Sequence, residues 1–530
     1  MKLRKLLSIL TFAASMSVAA QDGIVDVAIF SLNDFHGGFV QNPAQDIPGA
    51  ASVLQTLDSL KSVYPHNIVV SAGDNFGGSY FYTATKGQLL PVFFNEAGIR
   101  ISAVGNHEFD DGLDELSKKW KDDPIRPNGW DIKYICSNVY DAKGNIPSCM
   151  QPFTVEEISV SPTKKVKVAF VGMLASSAKT QISARRIVGM TFRGDYTKVL
   201  DSLKALPEYK KVDEADLRFF FFHIGANQKK GSPVWYDKNE EELYKLNNQE
   251  YHGFIAGHSH DPVCGYINDS HKPVVQGWWH GMYICMLKCR VDTMAMKVLS
   301  VEPEIVRVPL RQRSELTPHA LRMQQQVDSL LECTKTLGGV PIGTQVAYCS
   351  KSMPHDRNNK YRITEVGTLV CESYAYAYRK AKGNSLPVIG VSHFGSARGG
   401  FVKGNVSVLD VGEVLPFQNN MCAFLIDGKK LRELVEFGYH NERFGWMQYS
   451  GLRVVLNADG HVKKMYYVNP DGSQKRVKNK KKYIIVCDSF MSGGGDDYDK
   501  KFFPEEGRID VELPAATDCL IQYLQHRKTF

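Results

Sequence analysis

Five apolar segments of this chain each end in a short loop that carries Asp, Asn or His. The apolar segments are rich in β-branched and aromatic residues, which favours strands. Polar residues that follow such strands meet at the carboxyl edge of the sheet. The pattern predicts an α/β protein with a site at that edge, built from the loops NDFHGG, AGDN, GNHE, HIGAN and GHSHD.

The residue types in these loops indicate a metal site. Asp, Asn and His without Cys suit Mn, Fe, Co, Ni or Zn, and five such loops indicate a pair of metal ions. Asp74 is the only carboxylate of its loop, so it is the candidate to bridge two cations. Asn106 offers a neutral carbonyl oxygen. The adjacent His107 is expected to reach the substrate, with Asp110 fixing its tautomer by a hydrogen bond.

A simpler interpretation exists for each loop taken alone. A single DFH or HIG segment is usually a turn with a solvated histidine. Glu108 is interpreted as a structural residue that caps backbone amides at a helix start. Three further histidines fit no motif and are interpreted as surface or core residues: His252, His271 and His280. A metal site is favoured because all five loops carry ligand types and each follows a predicted strand.

The length and the first residues predict two domains and export. A chain of 530 residues is too long for one core. The segment MKLRKLLSILTFAASMSVAAQ has a basic start, an apolar centre and a small-residue end. It is interpreted as a signal peptide over residues 1–20, so the protein is expected to be periplasmic or secreted. No other segment of the sequence has the length and apolarity of a membrane span.

Charge and cysteine content exclude some functions. The net charge of +7 is modest for this length, and the basic runs lack interleaved aromatic residues, so no nucleic-acid polymer is expected as a partner. None of the eleven cysteines forms a CxxC motif, which argues against a zinc ribbon. Five cysteines lie in apolar runs and are expected to be buried thiols: Cys285, Cys289, Cys371, Cys422 and Cys487.

The second half of the chain has a different pattern. A helix is predicted near residues 315–337, where Leu321, Val327 and Leu331 recur at helical spacing. Strands are then predicted in LPVIGVSHF, MCAFLI, LRVVLN and KKYIIVC, with helices in ITEVGTLVCESYAYAYRKA and KKLRELVEFGY. This segment is interpreted as a second α/β domain. Its candidate ligand contacts are Arg357, Arg362 and Arg398 for anions, Phe417 and Phe490 for a flat ring, and Asp496 for a hydroxyl or base nitrogen.

The five loops, in this order, resemble the calcineurin-like metallophosphoesterases over residues 24–300. The resemblance implies a four-layer β-sandwich flanked by helices. It assigns one metal ion to Asp34, His36, Asp74 and His260. It assigns the second to Asp74, Asn106, His223 and His258, and it makes His107 with Asp110 the catalytic dyad. The expected ions are divalent, with Zn, Mn or Co preferred.

The second half resembles the carboxyl-terminal domain of the secreted 5′-nucleotidases, which include the periplasmic 5′-nucleotidase/UDP-sugar hydrolases. The matching strings are RITEVGTL, GSARGGFVKG, LPFQNNMCAFLIDGKKL, SGLRV and FMSGGGDDY. The resemblance implies that Phe417 and Phe490 stack on a base. It also implies that Asn419 and Asp496 fix the nucleoside and that the three arginines meet phosphate or ribose. GSAR and GGDDY depart from the family pattern, which leaves the preferred nucleotide open.

These observations predict an exported dinuclear-metal phosphohydrolase that acts on nucleoside 5′-monophosphates. The expected organisation is a signal peptide at 1–20, a metallophosphoesterase domain at 24–310, a helical linker at 311–344 and a substrate-binding domain at 345–530. The alternatives are a 2′,3′-cyclic-nucleotide phosphodiesterase, a UDP-sugar or nucleotide pyrophosphatase, a thiosulfate-ester hydrolase, and a non-enzymatic nucleoside-binding or adhesion protein. The sequence leaves the oligomeric state open.

Overall fold

The structure is a computed structural model that describes residues 23–43, 45–113, 116, 132–236, 238–267, 270–336, 339–383 and 385–530. The predicted signal peptide lies outside these residues. The chain divides into two compact units. The first unit contains the chain up to Phe35, with Ala51–Asn75 and Pro91–Ala320. The second contains His36–Ala50, Phe76–Leu90 and Leu321–Phe530.

The first unit contains two six-stranded mixed sheets. The first sheet has the strand order Lys297–Arg307, Tyr283–Asp292, Ile24–Leu32, Asn67–Ser71, Ile99–Ala103 and Lys133–Ile135. The second has the order Val263–Tyr266, Pro273–Gln276, Gly253–Ile255, Leu217–His223, Lys165–Leu174 and Phe153–Ser159. The last four strands of the first sheet run parallel to one another, and so do the four central strands of the second. The outer strands pair antiparallel.

The sequence of Leu217–His223 shows why this sandwich forms. Phe219 and Phe221 belong to a core that also contains side chains of the first sheet. Phe220 lies on the opposite face, where its ring centroid is 3.7 Å from that of Tyr251. A strand covered on both faces reads as a continuous apolar run, here FFFF, rather than as an alternating pattern. Among the described residues, the α-helices that lie wholly or mostly in this unit are Gly49–Val63, Leu90–Ala97, Tyr196–Lys204 and Lys210–Asp213.

The second unit has its own mixed sheet and core. Four strands form the sheet, in the order Met421–Asp427, Lys482–Asp488, Val388–Ser392 and Gln448–Tyr449. Smaller sheets contain Leu452–Leu456, Val462–Val468 and Gln474–Arg476, and Gln345–Cys349 with Gly404–Ser407. The helices are Tyr80–Thr85, Glu365–Lys382, Val408–Val414, Gly428–Tyr439, Ser489–Ser492 and Ala516–Arg527. The strands and helices predicted for the second half are therefore confirmed, as is the α/β fold class with mixed sheets flanked by helices.

The predicted connecting helix forms at Pro318–Cys333. Proline suits its first turn because the backbone N–H groups there have no partner inside the helix. The five cysteines expected to be buried thiols are buried and free. Among the described residues, no helix is both long enough and apolar enough to cross a membrane.

Candidate functional site

The first unit gathers six of the predicted metal ligands at the carboxyl ends of its central strands. Three of them follow neighbouring strands of the first sheet, and three lie at or beyond strand ends of the second sheet. The parallel strands of one sheet end on the same edge, so the chain path alone brings these side chains together. The six residues are Asp34, Asp74, Asn106, His223, His258 and His260.

Backbone strain is concentrated in these loops. Among the described residues, thirteen non-glycine residues have positive φ, and five of them are predicted metal ligands. The left-handed conformation costs a residue with a Cβ atom about 1–2 kcal/mol. Strain of this kind persists where the surrounding structure fixes it, and it is typical of functional sites. The five ligands are Asp34, His36, Asp74, His258 and His260, with φ values of 49°, 48°, 52°, 87° and 55°.

His223 and Asp74 form the most informative pair of the site. Both side chains are buried, and Nε2 of His223 lies 3.1 Å from Oδ2 of Asp74. The other ring nitrogen, Nδ1, is 2.7 Å from the carbonyl oxygen of Ala72, which only accepts hydrogen bonds. Nδ1 therefore carries the proton of a neutral ring, and Nε2 then presents a lone pair to a carboxylate. Nε2 is buried and makes no hydrogen bond.

The negative carboxylate of Asp74 favours a positive charge at Nε2 of His223. Burial alone would lower the pKa of His223, but Asp74 and Asp34 outweigh it and raise that pKa to about 10. A divalent cation meets the same requirement without a proton. Asp74, His223 and His258 each offer one ligand atom, and these atoms lie within 4.8 Å of one another. Carboxylate and imidazole ligands suit Zn, Mn or Co, so the residues fit a divalent metal ion.

Asp34 is held in place by its neighbours. It is fully buried, its Oδ1 lies 3.2 Å from Nε2 of His260, and Asn33 donates to Oδ2 at 2.7 Å. Burial by itself would raise the pKa of Asp34, yet His260 and His223 lower it well below its ordinary value. The carboxylate therefore stays ionised, as a metal ligand must. The sequence prediction did not include Asn33, although NDFH places it next to Asp34.

The surroundings of His258 favour its neutral form. Its Nδ1 lies 3.0 Å from Oδ1 of Asn106, and its backbone N–H donates to Oδ2 of Asp34 at 2.9 Å. Burial, followed by the charge on His223, lowers the pKa of His258 to about 4. Neutral imidazole is the form that binds metal ions. The structure thus brings the two predicted ligands His258 and Asn106 together.

His107 makes the hydrogen bond predicted for it. Its Nδ1 is 2.6 Å from Oδ2 of Asp110, so the carboxylate fixes the proton on Nδ1. Its backbone N–H donates to Oδ1 of Asp74 at 2.8 Å. A ring nitrogen of His107 and a carboxylate oxygen of Asp74 lie within 4.8 Å of each other. His107 is therefore beside the metal-type residues, and Asp110 orients it.

Glu108 has a larger part in the site than capping a helix start. Its Oε2 accepts hydrogen bonds from the backbone N–H groups of Gly105 and Asp74, at 2.7 and 2.9 Å. Its Oε1 accepts from the backbone of Asn75 at 2.9 Å. One buried carboxylate thus connects two ligand loops. Burial and the charge on Asp74 raise the pKa of Glu108 to about 7. A Cβ atom at Gly105 would lie 2.2 Å from Oδ1 of Asp74, so glycine is required there.

His36 is assigned to the second unit, as the first residue of the segment His36–Ala50. Its side chain is buried, and its Nδ1 is 3.3 Å from the carbonyl oxygen of Phe76. Only Phe35 separates it from Asp34 in the sequence. Its assignment as a metal ligand remains a prediction.

The three predicted arginines of the second unit share one histidine neighbour. Burial, followed by the charges of Arg357, Arg362 and Arg398, lowers the pKa of His355 to about 4. Arg398 also lowers the pKa of Arg357, because the two guanidinium groups are close together. Nε of Arg362 is buried and makes no hydrogen bond. A cluster of like charges with a buried donor favours an anionic ligand. His355 was not among the predicted site residues, although it stands two positions before Arg357.

The two predicted aromatic contacts lie on the same unit as the arginines. The guanidinium carbon of Arg398 is 5.0 Å from the ring centroid of Phe417. The ring of Phe490 is 4.9 Å from that of His393. A Cβ atom at Gly495 would lie 2.3 Å from the Phe490 ring, so the glycine-rich segment makes room for this ring. Both phenylalanines are only partly buried, as expected of rings that contact a ligand.

Asp496 pairs with a histidine that the sequence prediction did not include. Its Oδ2 is 2.6 Å from Nδ1 of His393, at the end of strand Val388–Ser392. Burial would raise the pKa of Asp496, but His393 and Arg398 lower it. Asn419 is partly buried, and its backbone carbonyl accepts a hydrogen bond from Ala516. The nucleoside contacts assigned to Asn419 and Asp496 remain predictions.

Two family models match the chain in the order expected. The model described as calcineurin-like phosphoesterase matches residues 28–262. The model described as 5′-nucleotidase, C-terminal domain, matches residues 341–502. The first match includes every predicted metal ligand and the dyad of His107 and Asp110. The second includes every predicted substrate contact.

The chain is also similar to known proteins along most of its length. It is 23% identical to the trifunctional nucleotide phosphoesterase protein YfkN of Bacillus subtilis, over 93% of this chain and 34% of that protein. It is 22% identical to the 5′-nucleotidase of Vibrio cholerae, over 93% of this chain and 90% of that protein. The chain thus spans about a third of the length of the Bacillus relative.

A solved structure supports the fold. The 5′-nucleotidase precursor of Thermus thermophilus aligns with a TM-score of 0.70 and 19% identity, over 95% of this chain and 97% of that one. At this identity the likeness concerns the fold alone, and the order of motifs and the two family matches carry the assignment. The chain belongs to the calcineurin-like phosphoesterases that carry a 5′-nucleotidase C-terminal domain.

Proposed function

We propose that this chain is a metal-dependent phosphohydrolase that releases phosphate from nucleoside 5′-monophosphates. The observation that carries the proposal is the buried contact between Nε2 of His223 and Oδ2 of Asp74, where a divalent cation supplies the positive charge that the pair favours. A divalent ion held by carboxylates and imidazoles is the usual centre for phosphoester cleavage. The names of the relatives support a nucleotide substrate.

The proposed metal centre holds two ions. When bound, they supply Lewis acidity for phosphoryl transfer and lower the pKa of water. One ion would be held by Asp34, His36, Asp74 and His260, and the other by Asp74, Asn106, His223 and His258. Zn, Mn and Co are the ions expected from these ligands. Asn33 and Glu108 position the two carboxylates before an ion arrives.

His107 is the proposed catalytic residue of the chain itself. Asp110 holds a proton on Nδ1, which leaves Nε2 as the ring atom that acts on the substrate. There it would stabilise charge on the phosphoryl oxygens or assist the leaving oxygen. The carboxylate also stabilises a positive charge on the ring. Asp110 is therefore a positioning residue, and its removal should slow turnover without removing metal.

The second unit supplies the groups proposed for substrate recognition. Arg357, Arg362 and Arg398 suit an anion such as phosphate. Phe417 and Phe490 offer flat apolar faces for a base. Asn419 and Asp496 are the proposed contacts to the nucleoside. A base-stacking pair favours a nucleotide over a simple phosphoester.

Export belongs to the same proposal. The basic and apolar segment at residues 1–20 is proposed to be a signal peptide, with a periplasmic or secreted destination. Amino-terminal sequencing of the protein purified from its native host measures this directly. A mature chain that begins near residue 21 is expected. A chain that retains residues 1–20 in the cytoplasm would contradict it.

Phosphate release from AMP, with and without a chelator, tests the activity. The wild-type protein should release phosphate, lose that activity in EDTA, and regain it with Zn²⁺, Mn²⁺ or Co²⁺. The same assay on 2′,3′-cyclic AMP, UDP-glucose and NAD separates a 5′-nucleotidase from a cyclic phosphodiesterase or a pyrophosphatase. Binding of adenosine without turnover of any of these esters would instead indicate a nucleoside-binding protein.

A further inference from the structure

A second group of metal-type side chains lies in the second unit and includes none of the residues proposed to bind substrate. It consists of Glu436, His440 and His461, whose ligand atoms all lie within 4.8 Å of one another. Glu436 and His440 stand four residues apart at the end of helix Gly428–Tyr439, on one face of it. His461 lies in the turn before strand Val462–Val468. Two separate elements therefore present the three side chains.

The two imidazole rings are held close together by their surroundings. Their centroids are 4.7 Å apart and their planes differ by 21°. Nδ1 of His461 is hydrogen-bonded to Oε1 of Glu436. Nδ1 of His440 lies 2.9 Å from the backbone carbonyl oxygen of Glu436 and 3.8 Å from the same Oε1. Both rings are thus held at Glu436, His461 by its carboxylate and His440 by its backbone carbonyl oxygen. Exposed histidines have no general reason to gather in this way.

The turn that carries His461 is fixed to the helix independently of the histidines. The backbone N–H of Val462 donates to Oε2 of Glu436 at 2.8 Å. Arg432, one helical turn earlier, donates to the carbonyl oxygen of Val462 at 3.3 Å. Glu436 and the backbone of the turn are therefore positioned before any ligand binds. Preorganisation of this kind reduces the entropy lost on binding.

We propose that Glu436, His440 and His461 bind one divalent transition-metal ion, with Zn²⁺ the best match. Two imidazoles and one carboxylate are an established zinc ligand set, and water completes a tetrahedral shell of four. Zn–N and Zn–O bonds of about 2.0–2.2 Å place ligand atoms about 3.3–3.6 Å apart, so small rotations of these exposed side chains suffice. The hydrogen bond between His461 and Glu436 is replaced by two bonds to the ion. The ion would join the helix end to the turn.

Zinc stoichiometry tests this site. The full chain is stripped with EDTA and dialysed against micromolar ZnCl₂, and bound zinc is measured by mass spectrometry. The variants are His440→Asn and His461→Asn, with His526→Asn as a matched control, an exposed histidine of the same unit that stacks on Tyr376 instead. Wild type and control should bind one zinc ion more per chain than either variant. The ions held by the proposed catalytic ligands should be the same in all four proteins, as should AMP hydrolysis.

A second measurement uses only the wild-type protein, so it does not depend on whether the variants fold. In the wild-type protein, Zn²⁺ should protect His440 and His461 from diethyl pyrocarbonate at least about tenfold, while modification of His526 stays constant. Protection and the loss of one zinc ion in both variants would support the site. Equal zinc content in all proteins, or modification of these two rings that Zn²⁺ leaves unchanged, would overturn it. Neither outcome depends on whether AMP is hydrolysed, so the two proposals fail separately.

Discussion

Nε2 of His223 lies 3.1 Å from Oδ2 of Asp74, while the opposite nitrogen of the same ring faces the carbonyl oxygen of Ala72. The carbonyl oxygen of Ala72 accepts a hydrogen bond, so Nδ1 carries the proton. The carboxylate of Asp74 is negative, so it favours a positive charge next to Nε2. The arrangement is stable with a cation between the two side chains. The prediction of a metal ion was first based on residue types, and the positions of these two atoms now support it as well.

Asp74 should be indispensable for metal binding. Asp74→Asn keeps the side-chain shape but removes the charge that neutralises the cations. Metal content measured after dialysis should fall. Loss of a residue that only supports a metal ligand reduces activity about 10–100-fold, and the loss of AMP hydrolysis in Asp74→Asn should be larger than that. His107→Asn is the matched comparison, because it should lose most turnover and keep its metal. Equal metal loss in both proteins would remove Asp74 from its bridging role.

Asp110 should affect rate rather than binding. Asp110→Asn can still contact Nδ1 of His107 but no longer stabilises a charged ring. We expect kcat for AMP to fall by about 100-fold, with metal content unchanged and KM changed little. Steady-state kinetics together with metal analysis measures this. A variant with wild-type kcat would show that the dyad has no part in turnover.

Glu108 should support both stability and the metal site. Glu108→Gln keeps one acceptor oxygen and replaces the other by an NH₂ group, so that either Asn75 or the pair Gly105 and Asp74 loses the acceptor for its backbone N–H. The loss of such buried hydrogen bonds costs about 1–3 kcal/mol of unfolding free energy. Denaturant unfolding of the metal-free protein should show this, and metal affinity should weaken about tenfold. Unchanged stability would mean that the loops hold Asp74 without Glu108.

His319 should make the stability of the first unit depend on pH. Its Nδ1 is 2.7 Å from Asp58 and its Nε2 is 2.9 Å from Glu96, so both nitrogens donate to carboxylates only when the ring is charged. Burial opposes that charge, but the two hydrogen bonds raise the pKa of His319 above 6.5. The stabilisation is therefore complete below pH 6.5 and is lost as the pH rises through the higher folded-state value.

Thermal unfolding of wild type and His319→Gln between about pH 5.5 and 9 measures this effect. The stability gap between the two proteins should be largest at low pH and should shrink as the pH rises. His66→Gln serves as the control, since the ring of His66 contacts the carbonyl oxygen of Ser159 rather than a carboxylate. A gap that grows with pH would contradict the charged state of His319.

Phe417 and Phe490 should select for a base. Phe417→Ala and Phe490→Ala should each raise KM for AMP about 5- to 150-fold, the equivalent of about 1–3 kcal/mol of lost stacking. KM for p-nitrophenyl phosphate, which has no nucleobase, should change less. Parallel kinetics on both esters make the comparison. If both substrates suffer equally, the two rings are structural.

The sequence indicated which polar residues of the first unit lie together, because each of these candidate ligands follows a strand that can be recognised by its apolar run. Asp34, Asp74 and His258 were found in this way. The role of Glu108 was underestimated, because its effect depends on the backbone of a loop more than thirty residues away. His393 was missed for the same reason, since its partner Asp496 lies 103 residues further along the chain. Local patterns locate side chains at sheet edges, but they do not show which distant groups bind them.

The left-handed backbone at Asp34, His36, Asp74, His258 and His260 limits how this protein can change. Glycine adopts that conformation without a steric cost, so replacing any of these residues by glycine would relieve backbone strain and also remove a proposed metal ligand. Selection for a more robust fold and selection for activity therefore act in opposite directions at the same five positions. In a homologue that no longer needs catalysis, we expect substitutions to glycine at these five positions first. The residues found there would therefore indicate whether a homologue is still an enzyme.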